Sequence, residues 1–177
     1  MTDTAVSDSY ITTIEDLESR LSGDPRTAAI ALAAASSSVQ TWYLKKATSS
    51  IDNLPFKGTT YNYLDRTSPS SDEQDRQFPR IINGLACDWD DSTSEAVVPE
   101  LVKQACVEEA IGLYEFYTSS ADQKRAKMQR QGVSSFSIGD LSESYRVGAS
   151  RKLKGLKSES AYDLLKEYIA GAVRPIP

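Results

Sequence analysis

Apolar positions recur at helical spacing through the first fifty residues. Ile14, Leu17 and Leu21 share one face of a short helix. Thr12 or Thr13 caps it, and Glu15 and Asp16 put negative charge in its first turn, where the helix dipole favours it. Ser22-Gly23 ends it. Asp24-Pro25 then supplies an acid at the N-cap and a proline at the first helical position, so a second run starts at Arg26 and continues to about Asp52. Its first half is alanine-rich and suits close packing against another helix. The serines at 36–38 are a point of interruption. In the second half Val39, Trp42, Tyr43, Ala47 and Ile51 line one face.

The pattern then changes. Residues 53–98 carry scattered prolines and glycines and no helical period, so they read as a long irregular connection with short extended pieces around Gln77–Ile82. Val98-Pro99-Glu100 opens the clearest helix, whose apolar surface includes Val102, Cys106, Val107, Ala110, Ile111, Leu113, Tyr114 and Tyr117. A surface this wide predicts a central helix contacted from more than one side. A polar, basic stretch follows and stops at Gly132. Residues 133–138 and 141–145 alternate apolar and polar around Gly139-Asp140, a β-hairpin pattern. The last helix starts near Ser158, and Ala161, Leu164, Leu165, Tyr168 and Ile169 form its apolar stripe.

These elements predict a mainly α fold: a small helical bundle with a long irregular connection and a C-terminal β-hairpin plus helix. The predicted organisation is a flexible N-terminus over 1–9, a helical domain over 10–131, and an arm over 132–177. The expected core comprises Trp42, Tyr43, Ile51, Val102, Cys106, Ala110, Leu113 and Tyr117. Truncation at Gly132 is expected to leave a folded body.

Charge divides the chain in two. The net charge is −5, but residues 1–120 hold 9 Lys/Arg against 19 Asp/Glu, and residues 121–177 hold 11 against 6. The halves are either two solvated faces or surfaces that attract each other, within a chain or between copies. At 177 residues, 40% hydrophobic and 25% charged, the composition is that of an ordinary globular domain. No apolar run approaches the roughly 20 residues that span a bilayer. The first residues lack the basic and apolar regions of a signal peptide, so cytoplasmic synthesis is expected.

Candidate chemistry is sparse. Histidine is absent, which removes the commonest general base and metal ligand. Cys87 and Cys106 match no metal or redox spacing and read as small, buried or half-buried side chains. No phosphate-binding loop or zinc motif occurs. Asp72-Glu73-Asp75 and Asp88-Asp90-Asp91 do not follow the spacing of a calcium loop and read as solvated acidic loops. Glu108-Glu109 reads as facing solvent or a subunit contact. No catalytic residue, metal or cofactor is therefore expected. Basic residues cluster at Lys124, Arg125, Lys127 and Arg130, and again at Arg151, Lys152, Lys154 and Lys157. Nucleic-acid binding is one use for them, but no aromatic residues interleave, and an acidic protein surface suits them better.

The residues also carry a resemblance. An early Tyr10-Ile11-Thr12 precedes a helix with Trp42 and the phrase Leu44-Lys-Lys-Ala-Thr-Ser-Ser-Ile-Asp52. Then come Phe56-Lys-Gly58, Gln77-Phe-Pro-Arg80 and Val98-Pro-Glu-Leu-Val-Lys-Gln-Ala105. In this order they resemble the head–tail connector, or adaptor, proteins of tailed bacteriophages, some of which bear the label DnaT-like single-stranded DNA-binding protein. The resemblance spans roughly residues 9–118. Residues 60–76 depart from it, being longer and more acidic than the usual connection.

The resemblance implies a helical bundle that forms a ring, usually twelve-fold, beneath the portal protein at the neck of the virion. The ring extends the DNA channel and offers its far side to a stopper or tail-completion protein. Twelve copies at −5 each give about −60, a charge that lets DNA pass without gripping it. The expected interface to the portal or a neighbouring subunit comprises Arg151, Lys152, Lys154, Lys157, Leu164, Leu165, Tyr168, Ile169, Phe136 and Ile138. The alternative is a single-stranded nucleic-acid-binding accessory protein.

Overall fold

A computed structural model describes residues 4–61, 76–92, 95–120, 135–138, 141–144 and 155–170. Among them the fold is mainly α, with a small three-stranded antiparallel sheet. Helix α1 covers Ile14–Leu21, and its three apolar residues are all buried. Thr13 is the cap: its hydroxyl accepts the Asp16 N–H at 3.2 Å. Residues 4–9, expected to be loose, are held against this helix. Val6 N–H donates to Thr12 O at 2.7 Å, Ile14 N–H donates to Thr4 O at 3.1 Å, and Val6 and Ser9 are buried.

The run from Arg26 to Asp52 is two helices, α2 (Thr27–Ala33) and α3 (Ser37–Asp52). The break covers 34–36, and the first of the serines, Ser36, is the N-cap residue of α3. Buried Gln40 bridges it by donating its side-chain N–H to Leu32 O at 3.2 Å, which also accepts the Ala35 N–H at 3.2 Å, and to Ala33 O at 3.1 Å. The inward face of α3 is Gln40, Tyr43, Leu44, Ala47, Thr48 and Ile51.

Five short strands follow: β1 (Thr59–Thr60), β2 (Arg80–Ile82), β3 (Leu85–Ala86), β4 (Trp89–Asp90) and β5 (Glu95–Ala96). The first three form the sheet in the order β1-β2-β3, with Thr59 opposite Ile81 and Ile82 opposite Leu85. β4 pairs with β5, Trp89 opposite Ala96. The extended pieces expected around 77–82 are thus β2 and its approach, which passes through a cis Phe78–Pro79 bond. Gly58 is obligatory at its turn: its φ is +73°, and a Cβ there would meet Ile81 O at 1.9 Å.

Helix α4 (Glu100–Thr118) is the central element and contacts α1, α2, α3 and a last helix, α5 (Glu159–Leu165). Ser158 caps α5, its hydroxyl accepting the Ala161 N–H at 3.2 Å. The expected hairpin is present as β6 (Ser135–Ile138) and β7 (Leu141–Ser144), antiparallel, with Ile138 opposite Leu141. Among the described residues these strands pair only with each other.

The closing helix corrects two expectations. It is part of the helical body, since α5 lies along α4 and Leu156, Ala161, Leu165 and Ile169 complete the core. The chain after it returns to the far side: Ile169 bridges Phe56, Lys57 N–H donates to Tyr168 O at 2.8 Å, and Ala170 N–H donates to Pro55 O at 2.7 Å. Truncation at Gly132 would strip these residues from a shared core, at roughly 1.5–3 kcal/mol for each large aliphatic side chain.

The expected core holds at Tyr43, Ile51, Val102, Cys106, Ala110 and Leu113, all buried. Trp42 and Tyr117 are corrections, exposed at 49% and 41%. Adjacent helical residues point about 100° apart, and Tyr43 and Leu44 take the inward direction on α3. Tyr117 lies in the last turn of α4, beyond that helix's buried face.

Candidate functional site

Three features set the outer surface of this body: a clasp for the C-terminal segment, a bolted β-ribbon and an aromatic ledge. The clasp is Glu109. It sits fully buried on α4, in line with Val102, Ala105, Cys106, Ala110 and Leu113. Its carboxylate accepts the Lys157 N–H at 3.0 and 2.9 Å and the Ser158 N–H at 2.9 Å. This overturns the expectation that it faces solvent or a subunit contact. The signal was legible, because position 109 falls on the apolar stripe 102–106–109–113. Burial pushes its carboxyl up to about 7, against the pull of the two backbone donors and the Lys157 charge.

One turn further along α4, Gly112 lets the same segment pass. A Cβ there would lie 3.1 Å from both Ser158 N and Ser158 Cβ. One turn beyond, the Lys157 ammonium lies 4.1 Å from the centre of the Phe116 ring. A groove of about 420 Å³ runs beside this line, walled by Arg26, Glu108, Glu115, Lys157 and Glu159. Arg26 closes one side through a two-pronged ion pair with Glu108, at 2.6 and 2.7 Å, and a second pair with Asp24.

The ribbon is fixed by a buried charge of opposite sign. Arg80, at the start of β2, donates to Lys57 O at 2.9 Å, Gly58 O at 2.7 Å, and Gln77 O and Oε1 at 3.2 and 2.6 Å. Burial lowers the affinity of its guanidinium for the proton. These bonds lock the turn before β1 to the approach to β2. Tyr10 seals the neighbouring seam: its hydroxyl donates to Asp52, which also accepts the Gln77 N–H at 3.3 Å. Outward from this bolt, Leu85 and Trp89 are exposed at 75% and 47%.

The ledge lies where α3 and α4 meet. Trp42 packs edge-on against Tyr43 and Tyr117, with ring centres 4.8 and 5.5 Å apart. Tyr43 meets Tyr114 at 5.2 Å, and Phe116 meets Tyr117 at 5.4 Å. Val39 continues the apolar surface on the solvent side of α3.

The predicted interface is redistributed. Leu165 and Ile169 are fully buried and Leu164 and Tyr168 half-buried, so this stripe faces the chain's own core. The helix ends at Leu165 and packs on α4, whereas Tyr168 and Ile169, expected on the same helical stripe, lie beyond it and meet Phe78 and Phe56. Lys157 is exposed and beside the clasp. Phe136 and Ile138 fall on β6, with their side chains outside the described residues. Arg151, Lys152 and Lys154 also lie outside the described residues, as do the cluster Lys124–Arg130 and the acidic group Asp72–Asp75.

Both cysteines are free thiols. Cys106 is buried beside Thr48 Oγ1 at 3.4 Å, and burial pushes its thiol up to about 11. Among the described residues no group of three or more Cys, Asp or Glu side chains is placed to hold a metal ion. No described helix is long and apolar enough to cross a membrane.

The fold and its surface define a class: a mainly α body that carries an acidic β-ribbon, an aromatic ledge and a hairpin. Comparison with known proteins names no relative, since no family model, curated protein or solved structure matches the chain.

Proposed function

We propose that this protein is a structural head–tail connector of a tailed phage, assembling as a ring beneath the portal. The ring extends the DNA channel and presents its far side to a stopper or tail-completion protein. One observation carries the reading beyond the resemblance. The body is closed around its own core, yet it leaves large apolar rings on its surface and a hairpin whose strands, among the described residues, pair only with each other. A two-stranded hairpin is marginal alone in water and gains stability by adding to a neighbour. The twelve-fold count follows the resemblance, and the virion neck is the location it implies.

The test uses portal-bearing heads that lack tails. The full chain should co-sediment with them and saturate at a ring's worth of copies. A variant with residues 133–146 replaced by a glycine–serine linker should keep its unfolding temperature and lose head binding. A full-length protein that never associates with such heads ends this reading.

A second reading, an accessory protein that binds single-stranded nucleic acid, is favoured by the ledge. Trp42 and Tyr117 are exposed rings of the kind on which bases stack, and the basic residues Lys124–Arg130 follow α4 in the chain. The net charge of −5 weighs against it. Salt-sensitive, micromolar retention of single-stranded DNA that fails in a Trp42→Ala variant would select it.

A further inference from the structure

Two surface patches expose large apolar side chains, and they differ in charge. The first is the tip of the β-ribbon. Asn83 and Gly84, both at positive φ, turn β2 into β3, and exposed Leu85 follows. Exposed Trp89 stands four residues further on. The stretch 81–92 holds Asp88, Asp90 and Asp91 and no Lys or Arg. Asp88 and Asp91 are exposed, and among the described residues no cation pairs with either. The second patch is the ledge, with Val39 and Trp42 on the outward side of α3 and Tyr117 beside them. From Ser37 to Ile51 that helix holds Lys45 and Lys46 and no acid. Both lysines are exposed. Lys45 reaches Ser7 at 3.3 Å and the exposed Asp8 at 3.5 Å, and among the described residues no carboxylate pairs with Lys46. Glu115, the acid in the last turns of α4, lines the groove beside Lys157 instead.

The patches stand at opposite ends of α4. Trp89 pairs with Ala96, four residues before that helix begins at Glu100. Tyr117, in its last turn, meets Trp42 with ring centres 5.5 Å apart. The helix rises about 26 Å from Glu100 to Tyr117. α3 packs along it in the opposite direction, with Thr48 beside Cys106 at 3.4 Å and Tyr43 beside Tyr114 at 5.2 Å, which fixes the ledge at the far end. A rigid helix of that length keeps the two patches of one chain apart. Between copies they fit head to tail, apolar centre to apolar centre and carboxylates to ammonium groups.

We propose that the ribbon tip of one copy, Leu85 and Trp89, docks on the ledge of the next copy at Val39, Trp42 and Tyr117. The rings form the buried centre of the contact, and Asp88 and Asp91 pair with Lys45 and Lys46 at its rim to set orientation. Because the contact joins two different surfaces, every docked copy still offers its other one, and assembly continues until its rotation closes it. The proposal deepens the connector reading, on which it rests for closure into a ring, and names the surfaces that join the subunits.

The test is a charge exchange on the purified full-length protein, read by sedimentation velocity at low salt. The ribbon variant is Asp88→Lys with Asp91→Lys, and the ledge variant is Lys45→Glu with Lys46→Glu. All four side chains are exposed, so both variants should keep the wild-type unfolding temperature. Each alone should weaken self-association about tenfold or more, as should Trp89→Ala. Salt at about 1 M, where the Debye length is about 3 Å, should weaken the wild type and leave Trp89→Ala no stronger. Mixing the two charge variants should restore association, because each then offers the other a complementary surface on both sides. A mixture that stays monomeric overturns the proposal. Restoration only when both exchanges sit in one chain overturns it in favour of a contact within the chain. Wild-type protein that stays monomeric at low salt and millimolar concentration also overturns it. Head binding that persists in that case leaves the connector reading standing and rejects this contact alone.

Discussion

Glu109 and Arg80 are two versions of one device with opposite sign. Each is a charge removed from water and surrounded by backbone. Glu109 gathers N–H groups from Lys157 and Ser158, and Arg80 gathers carbonyls from Lys57, Gly58 and Gln77. Glu109 pins the segment entering α5 to the helical body, and Arg80 ties the turn before β1 to the approach to β2. They differ in what the charge can do. The guanidinium stays protonated under any ordinary condition, so the ribbon is bolted permanently. The carboxyl of Glu109 is pushed into the neutral range, so the clasp on the C-terminal segment responds to pH. A buried charge is therefore not one kind of structural element: its neighbours decide whether it is a fixed strut or an adjustable one.

Removing each charge should separate the two. Arg80→Ala strands several buried acceptors at once and should cost about 4 kcal/mol in denaturant unfolding, with loss of the ribbon's amide protection. Glu109→Ala leaves the two donors of the clasp facing an apolar gap and should cost about 3 kcal/mol. Its effect should show first as faster hydrogen exchange at Lys157 and Ser158.

The pH response should sharpen the contrast. The folded carboxyl of Glu109 binds its proton more tightly than an ordinary glutamate, about 7 against 4.5. Its contribution to stability is full below pH 4.5 and is lost as pH rises to about 7, because the unfolded chain gives up the proton first. The loss across that window is about 3 kcal/mol. Glu109→Gln should flatten this slope, measured as unfolding free energy against pH, while a variant at Arg80 should leave it in place. An unchanged slope in Glu109→Gln would place the titrating group elsewhere.

The smallest effect belongs to the ledge, which neither charge supports. Trp42→Ser should lower stability by only about 1 kcal/mol, since the ring is half in water and its edge contacts are worth roughly that much. If it unfolds the protein instead, Trp42 is part of the core after all.

Much of the fold was legible because local signals agreed with one another. Thr13 caps α1, Pro99 opens α4, Ser158 caps α5, and the alternation at 135–138 and 141–144 is a hairpin. The misreadings share one cause. Periodicity says which residues lie on a face but not what covers that face. The spacing assigns the stripe Leu164–Ile169 to a partner, whereas the same chain covers it: α4 at Leu165, and Phe56 and Phe78 at Ile169 and Tyr168, which lie past the helix end. Trp42 belongs to the apolar pattern of α3 but falls on its flank. Glu109 was read by its charge, although its spacing from Cys106 and Leu113 placed it inside.

The sequence alone determined the starts of α1, α4 and α5, the hairpin, the uneven charge and the absence of histidine, but placed the cap of α2 at Asp24 where the helix begins only after Arg26. These follow from residue type and from spacing along the chain, which need no distant partner. Tertiary structure decided that α5 joins the body, that Arg80 and Glu109 bury their charges against backbone, and that Trp42, Tyr117 and Trp89 remain outside. Those outcomes depend on which segments meet across roughly 20 to 75 residues of chain, and helical or strand periodicity does not encode them.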